Sequence, residues 1–249
     1  MPTIAPQHQS PRPFSGPSDS GMCERLPISV WSRPGDMALA IAIRIADLIR
    51  QRQKENRRCV LGLATGSTPI GIYDELIRMH QDEGLSFKNV TTFNLDEYWP
   101  MNPSGPQSYH LFMREQLFDH VDIDLSCTHV PDGMVSADGA AASCLAYEAK
   151  IRAAGGIDLQ ILGVGRTGHI GFNEPGSPRA SRTRLIVLDR VTRNDSASDF
   201  FGEEQVPIRA LTMGIGTILE SKQIILMALG EAKAPIVAKL VEGPISEQI

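Results

Sequence analysis

From Cys59 onward, short runs of β-branched and large apolar residues alternate with amphipathic stretches at helical spacing, and nothing else in the chain constrains the fold as strongly. Cys59 to Ala64, Val90 to Leu95 and Ile157 to Gly163 read as buried strands, and Arg184 to Leu188, Ala210 to Ile215 and Gln223 to Leu229 complete the set. Pro69 to His80, Pro106 to His120, Ser136 to Ala154 and Glu231 to Val241 read as helices, the third closed by Gly155-Gly156. Strands separated by helices pair in parallel. The pattern predicts a single-domain α/β fold with a mostly parallel, doubly wound, Rossmann-like sheet and helices on both faces. Ligands of such sheets bind beyond the C-terminal strand ends, so chemistry is sought in the turns that follow strands.

A helix should open the domain: Gly35-Asp36 offers a cap, and Met37, Ile41, Ile45, Leu48 and Ile49 share a face before the polar run Gln51 to Arg58. Residues 1–27 are rich in Pro, Ser and Gly and poor in large apolar side chains, which predicts a disordered tail ahead of a domain over 28–249. Net charge is −5 with no block of Lys or Arg, so the footprint of a nucleic-acid partner is missing. No apolar run approaches the ~20 residues of a membrane span, and the N-terminus carries no leader pattern, which together predict a cytoplasmic protein with no membrane partner. Cys23, Cys59, Cys127 and Cys144 are dispersed, without the paired spacing of a metal site; reduced, structural thiols are expected.

Four strand-to-turn segments carry candidate chemistry. Thr65, Gly66, Ser67 and Thr68 follow a strand and precede a helix, an arrangement whose N–H and hydroxyl groups suit a phosphate dianion, although an ordinary helix cap is the plainer reading. Asp96 and Glu97 follow the next strand. Alternation sends them to opposite faces, and Asp96, at the strand's exit, is the better candidate base. Gly163 to Gly168 spells Gly-x-Gly-x-x-Gly, with Asp189 placed where a dinucleotide site would want an acid. The following stretch holds Gly171, Pro175, Gly176 and Pro178 and cannot be the required helix, so it is expected to be a loop presenting His169 and Glu174 as proton-transfer partners. Lys233 stands in the first turn of the last helix, where it opposes the helix dipole unless an anion is nearby.

Thr65 to Pro69, Phe-Asn-Leu-Asp-Glu-Tyr at Phe93 to Tyr98 and Gly-His-Ile-Gly-Phe-Asn-Glu-Pro at Gly168 to Pro175 together resemble the glucosamine-6-phosphate deaminase family, as do Ser181 to Arg184 and the turn ending at Lys233. The resemblance implies an enzyme that isomerises and hydrolytically deaminates glucosamine 6-phosphate to fructose 6-phosphate and ammonia, without metal or organic cofactor. It implies that His169, tuned by Glu174, opens the sugar ring, that Asp96 moves a proton between C2 and C1, and that Thr65 to Thr68 and Lys233 hold the phosphate. It leaves room for a homo-oligomer and implies a further sheet element beyond Ile249. Thr167 stands where many members carry Asp or Asn, which leaves Glu174 to orient His169 largely alone. No arginine stands at Ala197 to Asp199, where some members grip the phosphate, and Ile186 replaces a lysine of the allosteric site. The alternatives are a 6-phosphogluconolactonase-like hydrolase or isomerase of another sugar phosphate, and a non-catalytic sugar-phosphate sensor.

Overall fold

The computed structural model describes residues 26–248; the tail expected over 1–27, except Leu26 and Pro27, and Cys23 lie outside the described residues. Five parallel strands form the main sheet: β1 (Cys59–Leu63), β2 (Val90–Asn94), β4 (Thr128–His129), β5 (Leu159–Gly163) and β8 (Ile224–Met227), in the order β4-β2-β1-β5-β8. Every residue of β1 and β2 is buried, as parallel strands covered on both faces require. The chain moves outward from β1 through β2 to β4, then returns to the other side of β1 for β5 and β8. Right-handed crossovers therefore place the helices on opposite faces. On one face α1 (Pro34–Lys54) packs on α2 (Ile70–Glu83), which touches α3 (Tyr109–Gln116). On the other, Glu148 of α4 (Ala140–Ala153) accepts from the Thr183 N–H at 2.9 Å and from the hydroxyl of Thr217 in α6 (Ile215–Leu219).

Two expected strands do not join this sheet. β6 (Arg184–Val187) and β7 (Arg209–Thr212) pair antiparallel in a separate three-stranded sheet with β3 (Asp96–Trp99), a segment not expected as a strand of its own. The order is β3-β7-β6, so β3 pairs Asp96 with Thr212. Period-2 patterning identifies a strand without naming its partner, which explains the difference. The helix boundaries move by a few residues, and α1 begins at Pro34 after an Arg33 cap position that lacks a side-chain bond, one turn earlier than Gly35-Asp36 suggested. Two short helices, α5 (Arg190–Asp195) and α6, lack a readable apolar period. The expected last helix splits into a 3-10 turn over Glu231–Lys233 and α7 (Ala234–Glu242). Cys59, Cys127 and Cys144 are free thiols, and no helix among the described residues is long and apolar enough to cross a membrane.

At the N-terminal edge of the sheet, away from the turns of interest, the buried Asp158 carboxylate accepts from the Val60 N–H at 3.0 Å, Arg52 at 2.9 Å and Lys222 at 2.8 Å. Burial raises its pKa, but these donors outweigh it and hold the group below the ordinary carboxylate range. Asp158→Asn should therefore cost about 3 kcal/mol at pH 7, read as a melting temperature lower by roughly 6–12 °C. Because the folded pKa is depressed, the difference from wild type should shrink as pH falls through and below the usual carboxylate range.

Candidate active site

Because the main strands are parallel, the turns after β1, β2, β5 and β8 all reach one edge. They carry Thr65 to Thr68, Asp96, the loop from Val164 to Glu174, and Lys233. The order of strands reverses between β1 and β5, and the loop after β5 lies between the Thr65–Thr68 turn on one side and the Lys233 turn on the other. This is the crevice in which open α/β sheets bind ligands.

Asp96 is 5% exposed and no hydrogen bond reaches its carboxylate among the described residues. Burial, with the charge of Glu97 adding to it, pushes its pKa up to about 8. The neighbouring Glu97 turns elsewhere and is fully buried. It accepts from the backbone N–H groups of Tyr98 (2.9 Å), Tyr109 (3.1 Å) and His110 (3.2 Å) and from the Ser108 hydroxyl (2.8 Å), capping α3 from outside the helix. Burial still leaves Glu97 above its usual range despite those donors. One acid of the pair is thus spent on structure, and the other is left unsatisfied at the crevice.

The segment from Val164 to Thr183 forms no helix, so the Gly-x-Gly-x-x-Gly run is not a dinucleotide turn, and Asp189 instead caps α5 by accepting from the Val191 N–H at 2.7 Å. Phe172 pins the loop. Its ring centroid lies 5.2 Å from that of Tyr98 and 6.2 Å from that of Tyr109, and its N–H donates to the Thr212 hydroxyl at 3.2 Å. Asn173 donates to the carbonyls of Ile170 (2.9 Å) and Met213 (2.8 Å). Two glycines are dictated by close approach: a Cβ at Gly165 would stand 2.1 Å from the His169 ring, and one at Gly171, where φ is +57°, would stand 2.9 Å from Asp96 Oδ2. The same loop therefore bears His169 and closes over Asp96.

His169, Thr167 and Glu174 form a relay. The Thr167 hydroxyl donates to Glu174 Oε2 at 2.9 Å; having one proton, it can only accept from His169 Nδ1, also 2.9 Å away. That fixes the Nδ1–H tautomer and leaves Nε2 as the basic nitrogen. Burial lowers the His169 pKa and the charge of Lys233 adds to that, against the upward pull of Glu174, Asp195 and Asp189, so the ring is neutral at pH 7. Thr167 does not weaken the contact between histidine and acid, as the sequence comparison suggested; it bridges the two. Nor does Glu174 act alone. The hydroxyl of Thr192, a buried residue of α5, donates to Glu174 Oε1 and lies 3.4 Å from His169 Nδ1. Thr192 was invisible to sequence reasoning because a six-residue helix has too little periodicity to place its faces.

Lys233 is half-buried and makes no ion pair among the described residues; burial lowers its pKa. On the other flank α2 starts at Ile70, and the first N–H bonded back to the preceding turn is that of Ile72, to Pro69 O at 2.9 Å. The N–H groups before it and the partly exposed hydroxyls of Thr65, Ser67 and Thr68 are open to an anion. No group of three or more His, Cys, Asp or Glu side chains converges as a metal site among the described residues.

Residues 32–249 match the family model described as glucosamine-6-phosphate isomerases/6-phosphogluconolactonase. The chain belongs to this family. It is 50% identical over 204 residues to a glucosamine-6-phosphate deaminase of Bacillus velezensis, an alignment covering 82% of this chain and 84% of that one. It is 43% identical over 246 residues to a glucosamine-6-phosphate deaminase-like protein of Bacteroides thetaiotaomicron, covering 99% of this chain but 37% of that much longer relative. Among solved structures, a monomeric glucosamine-6-phosphate deaminase superposes with a TM-score of 0.82 at 45% identity, each chain covered over 87% of its length. The family match spans the crevice and all its candidate residues.

The raised pKa of Asp96 carries a stability consequence whose sign is fixed. A carboxyl that titrates near 8 when folded and near 4 when unfolded contributes full stability only below the unfolded value and loses it progressively as pH rises to about 8. Asp96→Asn should therefore match wild type in melting temperature near pH 4, exceed it by several degrees at pH 8, and hold a constant lead above that.

Proposed function

We propose that this protein converts glucosamine 6-phosphate and water to fructose 6-phosphate and ammonia. The observation that carries the reading is the buried, unbonded Asp96 carboxylate beneath the loop that holds the neutral His169 relay: a base for carbon acid chemistry beside a group able to exchange protons between sugar oxygens. The names of relatives about half identical to this chain support the same activity over lactone hydrolysis.

In the proposed reaction the Thr65–Thr68 turn and Lys233 hold the phosphate and so place the sugar. His169 Nε2 takes the proton of the anomeric hydroxyl and returns it to the ring oxygen, which opens the ring to the aldehyde. The ionised Asp96 then removes the proton at C2, acidified by the adjacent carbonyl, and delivers it to C1. The amine-bearing carbon becomes an imine as its nitrogen loses a proton and the oxygen at C1 gains one; water then adds to the imine carbon, and cleavage of its C–N bond expels ammonia and leaves the ketose. Ring opening and the C2-to-C1 shift each move a proton between a sugar atom and a positioned side chain. Binding the sugar in the crevice supplies the orientation those transfers require.

Ammonia release from glucosamine 6-phosphate is the direct assay. Asp96→Asn should reduce it about 10²-fold or more and abolish exchange of the C2 hydrogen with deuterated solvent, while fructose 6-phosphate still binds within a few-fold. In wild type kcat/KM should climb as pH rises through about 8, since Asp96 acts only when ionised. Normal C2 exchange in the variant would remove Asp96 from the reaction.

The relay is tested by Thr167→Asp, which sets a carboxylate against His169 Nδ1 and should raise the histidine pKa, seen by NMR titration of the imidazole. Glu174→Gln should move it downward, because the opposing charge is lost. If neither substitution moved the histidine or the rate of ring opening, the relay would not be the proton carrier.

A further inference from the structure

The loop that carries His169 also carries Arg166, whose guanidinium is 56% exposed and paired with Asp195 at the end of α5. Its place in the fold is specific. Arg166 stands three residues beyond Gly163 at the end of β5; Lys233 stands six beyond Met227 at the end of β8; and Gly163 pairs with Met227. The two cations rise from adjacent strand ends at the mouth of the crevice, and the charges of Arg166 and of its partner Asp195 both bear on Lys233. We propose that Arg166 is the second cation for the phosphate of the substrate, held by Asp195 in the empty protein and released to the phosphate on binding. This rests on the sugar-phosphate reading given above.

The charges favour such an exchange. Lys233, Arg166 and Asp195 leave one net positive charge at a mouth that must receive a phosphate monoester carrying about −1.5 to −2 at neutral pH. The Thr65–Thr68 turn offers only neutral donors. An exposed ion pair contributes little to stability, so trading one carboxylate for a phosphate costs the protein little, and the planar fork of arginine suits phosphate oxygens as well as carboxylate ones. The geometry of α5 links this exchange to the relay. Asp195 and Thr192 lie one turn apart on the same short helix, one holding Arg166 and the other donating to Glu174. Arg166 and Glu174 are thus both tied to α5 while the site is empty.

Calorimetric binding of inorganic phosphate and of fructose 6-phosphate tests this without requiring turnover. Arg166→Ala should weaken both ligands about tenfold or more, Arg166→Lys should recover part of the loss, and Asp195→Asn should tighten both a few-fold because the competing carboxylate is gone. In the ammonia assay the Arg166→Ala defect should fall more on KM than on kcat, since the phosphate is held alike before and during reaction. Binding by Arg166→Ala within twofold of wild type would overturn the proposal, as would Asp195→Asn weakening both ligands, which would make the pair a structural brace. Should Arg166→Ala fail to fold, Arg166→Gln and Asp195→Asn carry the same test. If wild type releases no ammonia yet binds phosphate through Arg166, the activity is wrong and this inference stands; if ammonia is released and Arg166 is indifferent, the reverse holds.

Discussion

One residue joins the two sheets. Leu95 donates its N–H to Leu63 O at the end of β1 (3.2 Å) and accepts from the Met213 N–H just past β7 (2.7 Å), so the chain leaves the parallel sheet and enters the antiparallel one within a single residue. The next residue is Asp96. Its position is not that of a side chain on a free loop but of one clamped at a seam, with Thr212 opposite it in the ladder and Gly171 packed against its carboxylate. A largely buried carboxyl without hydrogen-bond donors is held there because hydrogen bonds on both sides fix the backbone and keep the side chain from turning out of the crevice.

The cost of that placement is visible in the neighbouring acid. Glu97 is as deeply buried, but four donors surround it and it serves as an external cap for α3, which in turn sets Tyr109 against Phe172 and thereby steadies the His169 loop. Asp96 has no such donors and its burial works against stability at neutral pH. A fold selected only for stability would bond or replace this carboxylate, and the contrast with Glu97 is what makes Asp96 a candidate for chemistry.

The loop after β5 shows how hydroxyl groups can substitute for charge. Each oxygen of Glu174 accepts from a threonine, and one of these threonines passes the orientation on to His169. A carboxylate at position 167 would hold the imidazole as well but would favour its charged form; a threonine fixes the tautomer while leaving the ring neutral in its partly buried site. Hydrogen-bond orientation and electrostatic tuning are separate functions, and here they reside in different residues.

The sequence by itself determined the parallel α/β core, because short apolar runs separated by amphipathic stretches have few other ways to bury themselves. It also determined which turns converge, because a parallel sheet delivers all of them to one edge: Asp96, His169, Glu174, Lys233 and Thr65 to Thr68 were legible as candidates. Rejection of the dinucleotide motif was legible too, from the glycines and prolines between His169 and Arg182. The partners of β3, β6 and β7 were decided only in three dimensions, since period-2 patterning does not record what a strand pairs with. So were the contacts of Thr192, Arg166 and Asp195. These residues lie on a loop and a six-residue helix whose local sequence carries no period, and their contacts span 18 to 29 residues of chain. Tertiary structure also decided that Glu97 is spent on a helix cap while Asp96 is left bare, a distinction between adjacent acids that depends on which backbone donors the fold brings within reach.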